Sequence, residues 1–246
     1  MSSSGPLAIG RDAGIAAVAR AAVALVSQDA RLGLGSGHAA SEFIACLGRS
    51  VRDGLRVSGV PTSRAAAAAA KAAGIPLIDL TEGMILDLTV DGADEVTPTL
   101  DLIKGWGGAL VRERIVAQAS RAQVILVGAE KLVPALGVHG RIPVEVIPFA
   151  AAHVAGSIRM FGLEPSLRCA DHDAMPFVTD NGNVLLDCAP AAPLASAAVA
   201  RDLERRLLAI AGVVDTGLFL GTAERVLVGH PDGHVEVMAG LRGVIR

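Results

Sequence analysis

The chain has 246 residues, 52% of them apolar but only 2% aromatic, with a formal net charge of −3 and an isoelectric point near 6.1. That length admits one large core, or one larger and one smaller domain. Scarce aromatics suit a base-stacking platform poorly, and the lack of a basic excess argues against nucleic acid as a partner.

A core of Ala, Val, Leu and Ile suits helices layered on a parallel sheet. Met1–Gly10, with Ser2-Ser3-Ser4-Gly5-Pro6, reads as a poorly ordered start, and Arg11–Ser27 as a helix with Asp12 favourable in its first turn. The apolar stretch Ala13–Val26 is broken by Arg20 and follows no basic leader, so it reads as an amphipathic helix rather than a signal peptide. No apolar run reaches the about 18 residues of a membrane-spanning helix, so no membrane partner is expected.

Arg31–Leu34 reads as a buried strand, Gly35-Ser36-Gly37-His38 as a turn, and Ala39–Leu47 as a helix. Arg56–Val60 is a second strand, and Ser63 can cap a helix over Arg64–Ala73, whose alanine run has high helix propensity. Gly74 closes that helix, and an extended piece starts at Ile75-Pro76-Leu77-Ile78. Ile85–Val90 is a strand running into Asp91, Val111–Ser120 a helix and Gln123–Val127 a further strand. This alternation predicts a doubly wound parallel sheet.

After about residue 137 the rhythm changes. Val144–Ile147, Leu167–Ala170, Phe177-Val178 and Val184–Asp187 read as strands, with Asp180-Asn181-Gly182-Asn183 a turn between the last two. Ala151–Phe161 and Ala195–Ala211 read as helices, the second with Arg201, Asp202, Glu204, Arg205 and Arg206 on its polar side. The order is that of a split α+β, ferredoxin-like module. Leu218-Phe219, Arg225–Val228 and His234–Met238 are expected to return to the first domain. The fold class is therefore α/β, with a Rossmann-like domain over 1–136 and 215–246 and a small α+β domain over 137–214. Cys46, Cys169 and Cys188 are odd in number and widely spaced, which predicts small buried hydrophobes in a reducing cytoplasm rather than disulfides or zinc ligands.

The chemistry concentrates in Asp91-Gly92-Ala93-Asp94-Glu95 and in Lys104-Gly105-Trp106-Gly107-Gly108, followed by Arg112-Glu113. Carboxylates gathered at the carboxyl end of a strand cost stability unless they are paired or used, and that end is where open α/β sheets bind ligands. A metal site on Asp91, Asp94 and Glu95 is a weaker reading, since no histidine falls nearby. The Gly33–Ala39 turn can converge backbone amides on an anion. Gly35-x-Gly37-x-x-Ala40 matches a dinucleotide fingerprint, but the second strand ends in Val60-Pro61-Thr62-Ser63 with no acid for a ribose. A phosphate on a small metabolite fits better.

Taken together, these segments resemble the A-type ribose-5-phosphate isomerase family. The resemblance rests on Gly33–Gly37, Val90–Glu95, Lys104–Leu110 with Arg112-Glu113, Glu130-Lys131-Leu132, Pro143–Pro148, Val178–Asn183 and Gly217–Phe219, which stand in the family's order. It implies metal-free and cofactor-free interconversion of ribose 5-phosphate and ribulose 5-phosphate. It also implies Glu113 as the base moving a proton between C2 and C1, Asp91 assisting ring opening, Asp94 holding sugar hydroxyls and Lys104 facing the enediolate oxygen. Ser36, Gly37, His38, Ala39, Gly92, Ala93, Gly105, Trp106, Gly107 and Lys131 would line the substrate. A cytoplasmic homodimer or tetramer is implied as well. The chemistry is sound in itself, because proton abstraction beside a carbonyl needs a positioned carboxylate and a fixed positive charge at the developing oxyanion.

The chain departs from the family at the substrate's rim. Where relatives read Gly-Thr-Gly-Ser-Thr, it has Gly35-Ser36-Gly37-His38-Ala39, so His38 either meets a phosphate when protonated or faces solvent at a helix start. Trp106 stands where relatives have glycine, either packing over the sugar or turned into another contact. Only Arg11 and Arg20 could replace a lysine that some relatives carry on the first helix. These departures leave two further readings: an aldose–ketose isomerase for another sugar, and a non-catalytic sugar-phosphate sensor. The sensor would need a DNA-binding module, for which the residues before 11 leave no room.

Overall fold

The computed structural model describes residues 6–170 and 175–239. In chain order the elements are α1 (Pro6–Val23), β1 (Ala30–Leu34), α2 (His38–Arg52), β2 (Val57–Pro61), α3 (Arg64–Ala72), β3 (Leu88–Gly92), β4 (Glu95–Val96), β5 (Leu102–Ile103), α4 (Leu110–Gln118) and β6 (Gln123–Gly128). There follow β7 (Ile142–Val146), α5 (Ala151–Arg159), β8 (Leu163–Leu167), β9 (Val184–Pro190), α6 (Ala197–Leu208), β10 (Val213–Thr216), β11 (Leu218–Phe219), β12 (Arg225–Gly229) and β13 (Val235–Ala239). They form two compact units, one of Met1–Ala93, Arg112–Leu132 and Gly221–Arg246, the other of Asp94–Val111 and Val133–Leu220.

The first unit is built on a six-stranded sheet in the order β13-β12-β6-β3-β1-β2. All its pairings are parallel except β12 with β13. Strand alternation decides what each face carries. Leu32 and Leu34, Leu88 and Val90, and Val124 and Leu126 point to one side. There they pack against Ile15, Val18 and Ala22 of α1, Phe43, Ile44 and Leu47 of α2, and Ala66 and Ala70 of α3. Each large side chain so buried contributes about 1.5–3 kcal/mol. The intervening positions, Gly33 and Thr89, face α4: a Cβ on Gly33 would lie 2.0 Å from Thr89 Oγ1 and 2.5 Å from Val116 Cγ1. Only glycine at 33 lets this helix reach the sheet.

The second unit contains a four-stranded sheet in the order β10-β7-β9-β8, every pairing antiparallel. With α5 between β7 and β8 and α6 between β9 and β10, this is the ferredoxin-like arrangement. Ser196 caps α6 by accepting the Val199 amide hydrogen at 3.3 Å. A small sheet β11-β5-β4 shares its core through Ile103 and Leu218. Two sequence blocks meet at Glu145 in β7. This buried carboxylate accepts hydrogen bonds from Thr179 Oγ1 at 3.0 Å, Asn181 Nδ2 at 3.1 Å and Asn183 Nδ2 at 2.8 Å.

Several boundaries differ from those read in the sequence. α1 begins at Pro6, not Arg11, so residues 6–10 are helical and Asp12 lies beyond the first turn; residues 1–5 lie outside the described residues, as does the Arg11 side chain. Asp91 and Gly92 belong to β3 itself rather than following it. The strand expected at Leu167–Ala170 is β8 at Leu163–Leu167, leaving only a Cys169–Pro176 bridge beyond it. Leu218-Phe219, expected with the first domain, pairs with Leu102-Ile103 in the second unit. Asp94–Val111 likewise groups with the second unit, because β4 and β5 pair with β11 rather than with the large sheet. Cys46 and Cys188 are buried as expected, whereas Cys169 is exposed. No helix among the described residues is long and apolar enough to cross a membrane.

Candidate active site

In the first unit β1 has β2 on one flank and β3 on the other, so crossovers leave in opposite directions between β1 and β3. Such a switch point opens a crevice at the carboxyl ends of the strands. The segments after β1, β2 and β6, and the end of β3, all fall at that edge. After β1, the Gly35 amide donates to Val90 O at 2.9 Å and the Ser36 amide to Asp91 Oδ1 at 3.0 Å. The Gly92 amide donates to the same oxygen at 2.7 Å. A Cβ on Gly35 would lie 2.3 Å from it, so glycine is what allows the turn to close over the carboxylate.

The Ser36 hydroxyl stands 2.8 Å from Thr62 Oγ1 and donates to Ser63 Oγ at 2.7 Å. Ser63 Oγ in turn accepts the Ala66 amide hydrogen at 3.0 Å, capping α3. Gly37, at φ 87°, precedes the first residue of α2 and has no side chain to cap it, the arrangement that favours an anion at a helix start. His38 opens α2 on the surface, its Nε2 3.5 Å from Asp12 Oδ1, and Ala39 follows in the first turn. Lys131 ends a short 3-10 helix, Ala129–Lys131, that follows β6.

Glu113 lies in the first turn of α4 and is only 5% exposed. Its level is set by the packing of α4 on β3. Leu86 donates to Ala119 O and accepts from the Arg121 amide, and Thr89 Oγ1 reaches Val116 O at 3.5 Å. The helix therefore runs antiparallel to the strand. One turn before Val116, on the same helical face, comes Glu113; two residues after Thr89, on the same strand face, comes Asp91. The two acids thus occupy the same level of the same side of the sheet.

In the second unit, the Asp94 amide donates to Ile103 O at 2.8 Å and Asp94 Oδ2 accepts the Trp106 amide hydrogen at 2.9 Å. Lys104 is 2% exposed, donates its amide hydrogen to Gly217 O at 2.9 Å and holds its ammonium 5.7 Å from the Phe219 ring centroid. Gly105 sits at φ 100°, a backbone conformation that glycine tolerates. Gly107 has open space where a Cβ would stand. Trp106 is packed within this unit: its Nε1 donates to Arg141 O at 3.2 Å, the Arg141 guanidinium lies 5.6 Å from its ring, and His139 meets it edge-on.

Glu95, weighed above as a metal ligand, instead accepts the Gly137 and His139 amide hydrogens at 2.6 and 2.8 Å, with His139 Nδ1 at 3.0 Å. Its carboxylate is committed to holding a loop. Sequence reasoning also missed Thr62 as a partner of Ser36, although its position just after β2 at the same sheet edge was a usable signal. It missed Arg168 and Asp187 as well, because nothing local marks an arginine just after a strand as the partner of a carboxylate 19 positions away. Arg168 donates from Nε and Nη2 to Asp187 at 2.9 and 2.5 Å, and Arg141 donates to the same carboxylate at 2.9 Å. Burial works to raise the Asp187 pKa, but the hydrogen bonds and charges of Arg168 and Arg141 outweigh it and hold the carboxyl below its ordinary value.

Comparison with known proteins follows the same lines. Residues 58–233 match the family model described as ribose 5-phosphate isomerase A (phosphoriboisomerase A). A ribose-5-phosphate isomerase A from Gloeobacter violaceus is 47% identical over 89% of this chain and 93% of its own length. The structure of ribose 5-phosphate isomerase A from Methanocaldococcus jannaschii superposes with a TM-score of 0.85 at 39% identity, covering 93% of this chain and 98% of that one. A D-ribose-5-phosphate isomerase in complex with phospho-erythronic acid gives 0.87 at 34% identity, with the same coverage.

Proposed function

The chain belongs to the ribose 5-phosphate isomerase A family, and on that premise we propose that it interconverts ribose 5-phosphate and ribulose 5-phosphate. The observation that carries the reading is Asp91 Oδ1 held by the Ser36 and Gly92 amides at the β1/β3 switch point, on the side of the sheet and at the level that α4 gives to Glu113.

In this reading Asp91 assists opening of the furanose ring and Asp94 holds sugar hydroxyls. Glu113 takes the C2 proton of the open-chain aldose, the C2–H electrons form the C1–C2 double bond, and the carbonyl oxygen on C1 gains the negative charge. Lys104 stabilises that charge, which is worth most in a site shielded from water. Glu113 returns its proton to C1, the hydroxyl proton on O2 passes to O1, and C2 becomes the ketone. A single carboxyl group serves both transfers, so the proton balance closes without a second acid. The glycine turn before α2, with Ser36, Gly37, His38 and Ala39, receives the phosphate, and Lys131 adds charge at the same sheet edge. Gly92, Ala93, Gly105, Trp106 and Gly107 supply backbone around the sugar.

The binding of phospho-erythronic acid, a phosphorylated four-carbon sugar acid, by a relative supports a sugar phosphate as the substrate class. The reading extends to the pentose phosphate pathway, a cytoplasmic location and a homodimer or tetramer, the last open to light scattering on the purified protein. The activity is tested by following ketose formation from ribose 5-phosphate in EDTA, beside unphosphorylated ribose and arabinose 5-phosphate. Turnover confined to ribose 5-phosphate supports the proposal. Inactivity towards it by the folded protein would overturn it.

A further inference from the structure

Arg168 follows β8 and is 9% exposed, yet it belongs to none of the segments assigned to chemistry above. Its guanidinium faces two ways. Nε and Nη2 form a bidentate pair with Asp187 at 2.9 and 2.5 Å, while Nη1 donates to Gly105 O and to Trp106 O, each at 3.0 Å. These two carbonyls come immediately after Lys104. The arginine is itself fixed, since its amide donates to Leu185 O at 2.9 Å and its carbonyl accepts from the Phe177 amide at 2.8 Å. Asp187 is braced from its other side by Arg141, whose carbonyl accepts the Trp106 indole hydrogen.

We propose that Arg168, oriented by Asp187, is a positioning residue that holds the Lys104-Gly105-Trp106 backbone and thereby aims the Lys104 ammonium. The inference rests on the reading of Lys104 as the group that stabilises the enediolate. Two properties of the segment make such a clamp necessary. Gly105 has no side chain to anchor it and adopts φ 100°, so its peptide planes are set by what their oxygens and amides bond. The carbonyls of the consecutive Gly105–Trp106 and Trp106–Gly107 peptides converge on one nitrogen, a demand that the planar, five-donor guanidinium can meet while still paired to a carboxylate. The hydrogen bonds that the Lys104 amide donates to Gly217 O and the Trp106 amide donates to Asp94 Oδ2 fix the same segment from its other groups. A displacement of about 1 Å in a group that meets a transition state can cost on the order of a hundredfold in rate.

The test is a double-mutant cycle between Arg168→Lys and Lys104→Met, with kcat and KM for ribose 5-phosphate and thermal melting of each protein. Lysine keeps the charge beside Asp187 but cannot serve the carboxylate and both carbonyls together. Arg168→Lys is expected to fold, to lose about 10–100-fold in kcat and to leave KM within about threefold. In the Lys104→Met background the same change is expected to cost less than about threefold, since a misaimed group that is already absent loses nothing further. Equal kcat losses in both backgrounds, or a folded Arg168→Lys protein with wild-type kcat, would overturn the proposal. Should Arg168→Lys fail to fold, Asp187→Asn replaces it in the cycle with the same two criteria. Wild-type kcat in Lys104→Met alone would instead remove Lys104 from the mechanism, a separate failure of the reading on which this one rests.

Discussion

Asp91 and Ser36, 55 positions apart in sequence, are joined by a 3.0 Å hydrogen bond from the Ser36 amide to Asp91 Oδ1. That bond ties the glycine turn after β1 to the carboxyl end of strand β3, so the proposed phosphate-binding loop and the proposed ring-opening acid move as one piece. The same oxygen accepts from Gly92, leaving the carboxylate plane little freedom.

Gly35→Ala tests how tightly that piece is built. The new Cβ would meet Asp91 at 2.3 Å from Oδ1 and 2.5 Å from Cα, the latter a backbone atom that cannot swing aside. Overpacking of this kind costs about 1–3 kcal/mol, which for a chain of this size lowers Tm by about 2–4 °C per kcal/mol. We expect a lower melting temperature together with a loss of at least about tenfold in kcat/KM, because the shift falls on the carboxylate itself. Unchanged melting and activity would contradict the packing described here.

Acid titration tests the Asp187 pair. Its folded pKa is depressed below the unfolded value of about 3.9, so the stability it contributes is present above that value and is lost as pH falls through the folded one. Wild type is therefore expected to exceed Asp187→Asn in melting temperature from neutral pH down to about pH 5, with the gap closing below about pH 4. A gap that stays constant from pH 6 to about pH 3 would show that the Asp187 charge adds nothing to folding.

Thiol reactivity separates the three cysteines. Burial pushes the Cys188 thiol up to about 12, aided by the neighbouring Asp187 charge, and burial also raises Cys46, while Cys169 is exposed. With Ellman's reagent at mildly alkaline pH, one thiol of the native protein should react rapidly and the other two only after denaturation. Cys169→Ser should abolish the rapid phase. Rapid reaction of two or three thiols would place Cys46 or Cys188 in a far more open environment.

Much of this organisation was legible in the sequence because it is written in local pattern. Alternating strands and helices gave the parallel sheet, Ser63 and the alanine run gave α3, and Asp180–Asn183 gave the turn below Glu145. The fate of Glu95 was not legible, since its partners Gly137 and His139 lie more than 40 residues away. Arg168 was hidden too, since its targets at Gly105 and Trp106 lie more than 60 residues away and are backbone carbonyls that leave no trace in residue type. Leu218-Phe219 misled for a related reason: two apolar residues satisfy either sheet, and only pairing with Leu102-Ile103 decides between them. Trp106 could not be oriented from its neighbours in sequence, because the carbonyl that receives its indole hydrogen belongs to Arg141.

The central claim is that Glu113 carries the proton between C2 and C1. Its most direct test is Glu113→Gln, which keeps the side chain's size and removes the base, assayed for ribose 5-phosphate turnover beside calorimetric binding of phospho-erythronic acid. The account predicts turnover reduced by at least about a thousandfold, a loss of the size general-base catalysis supplies, with Kd changed less than about threefold. Near wild-type turnover in the folded, ligand-binding variant would contradict it and place the base elsewhere.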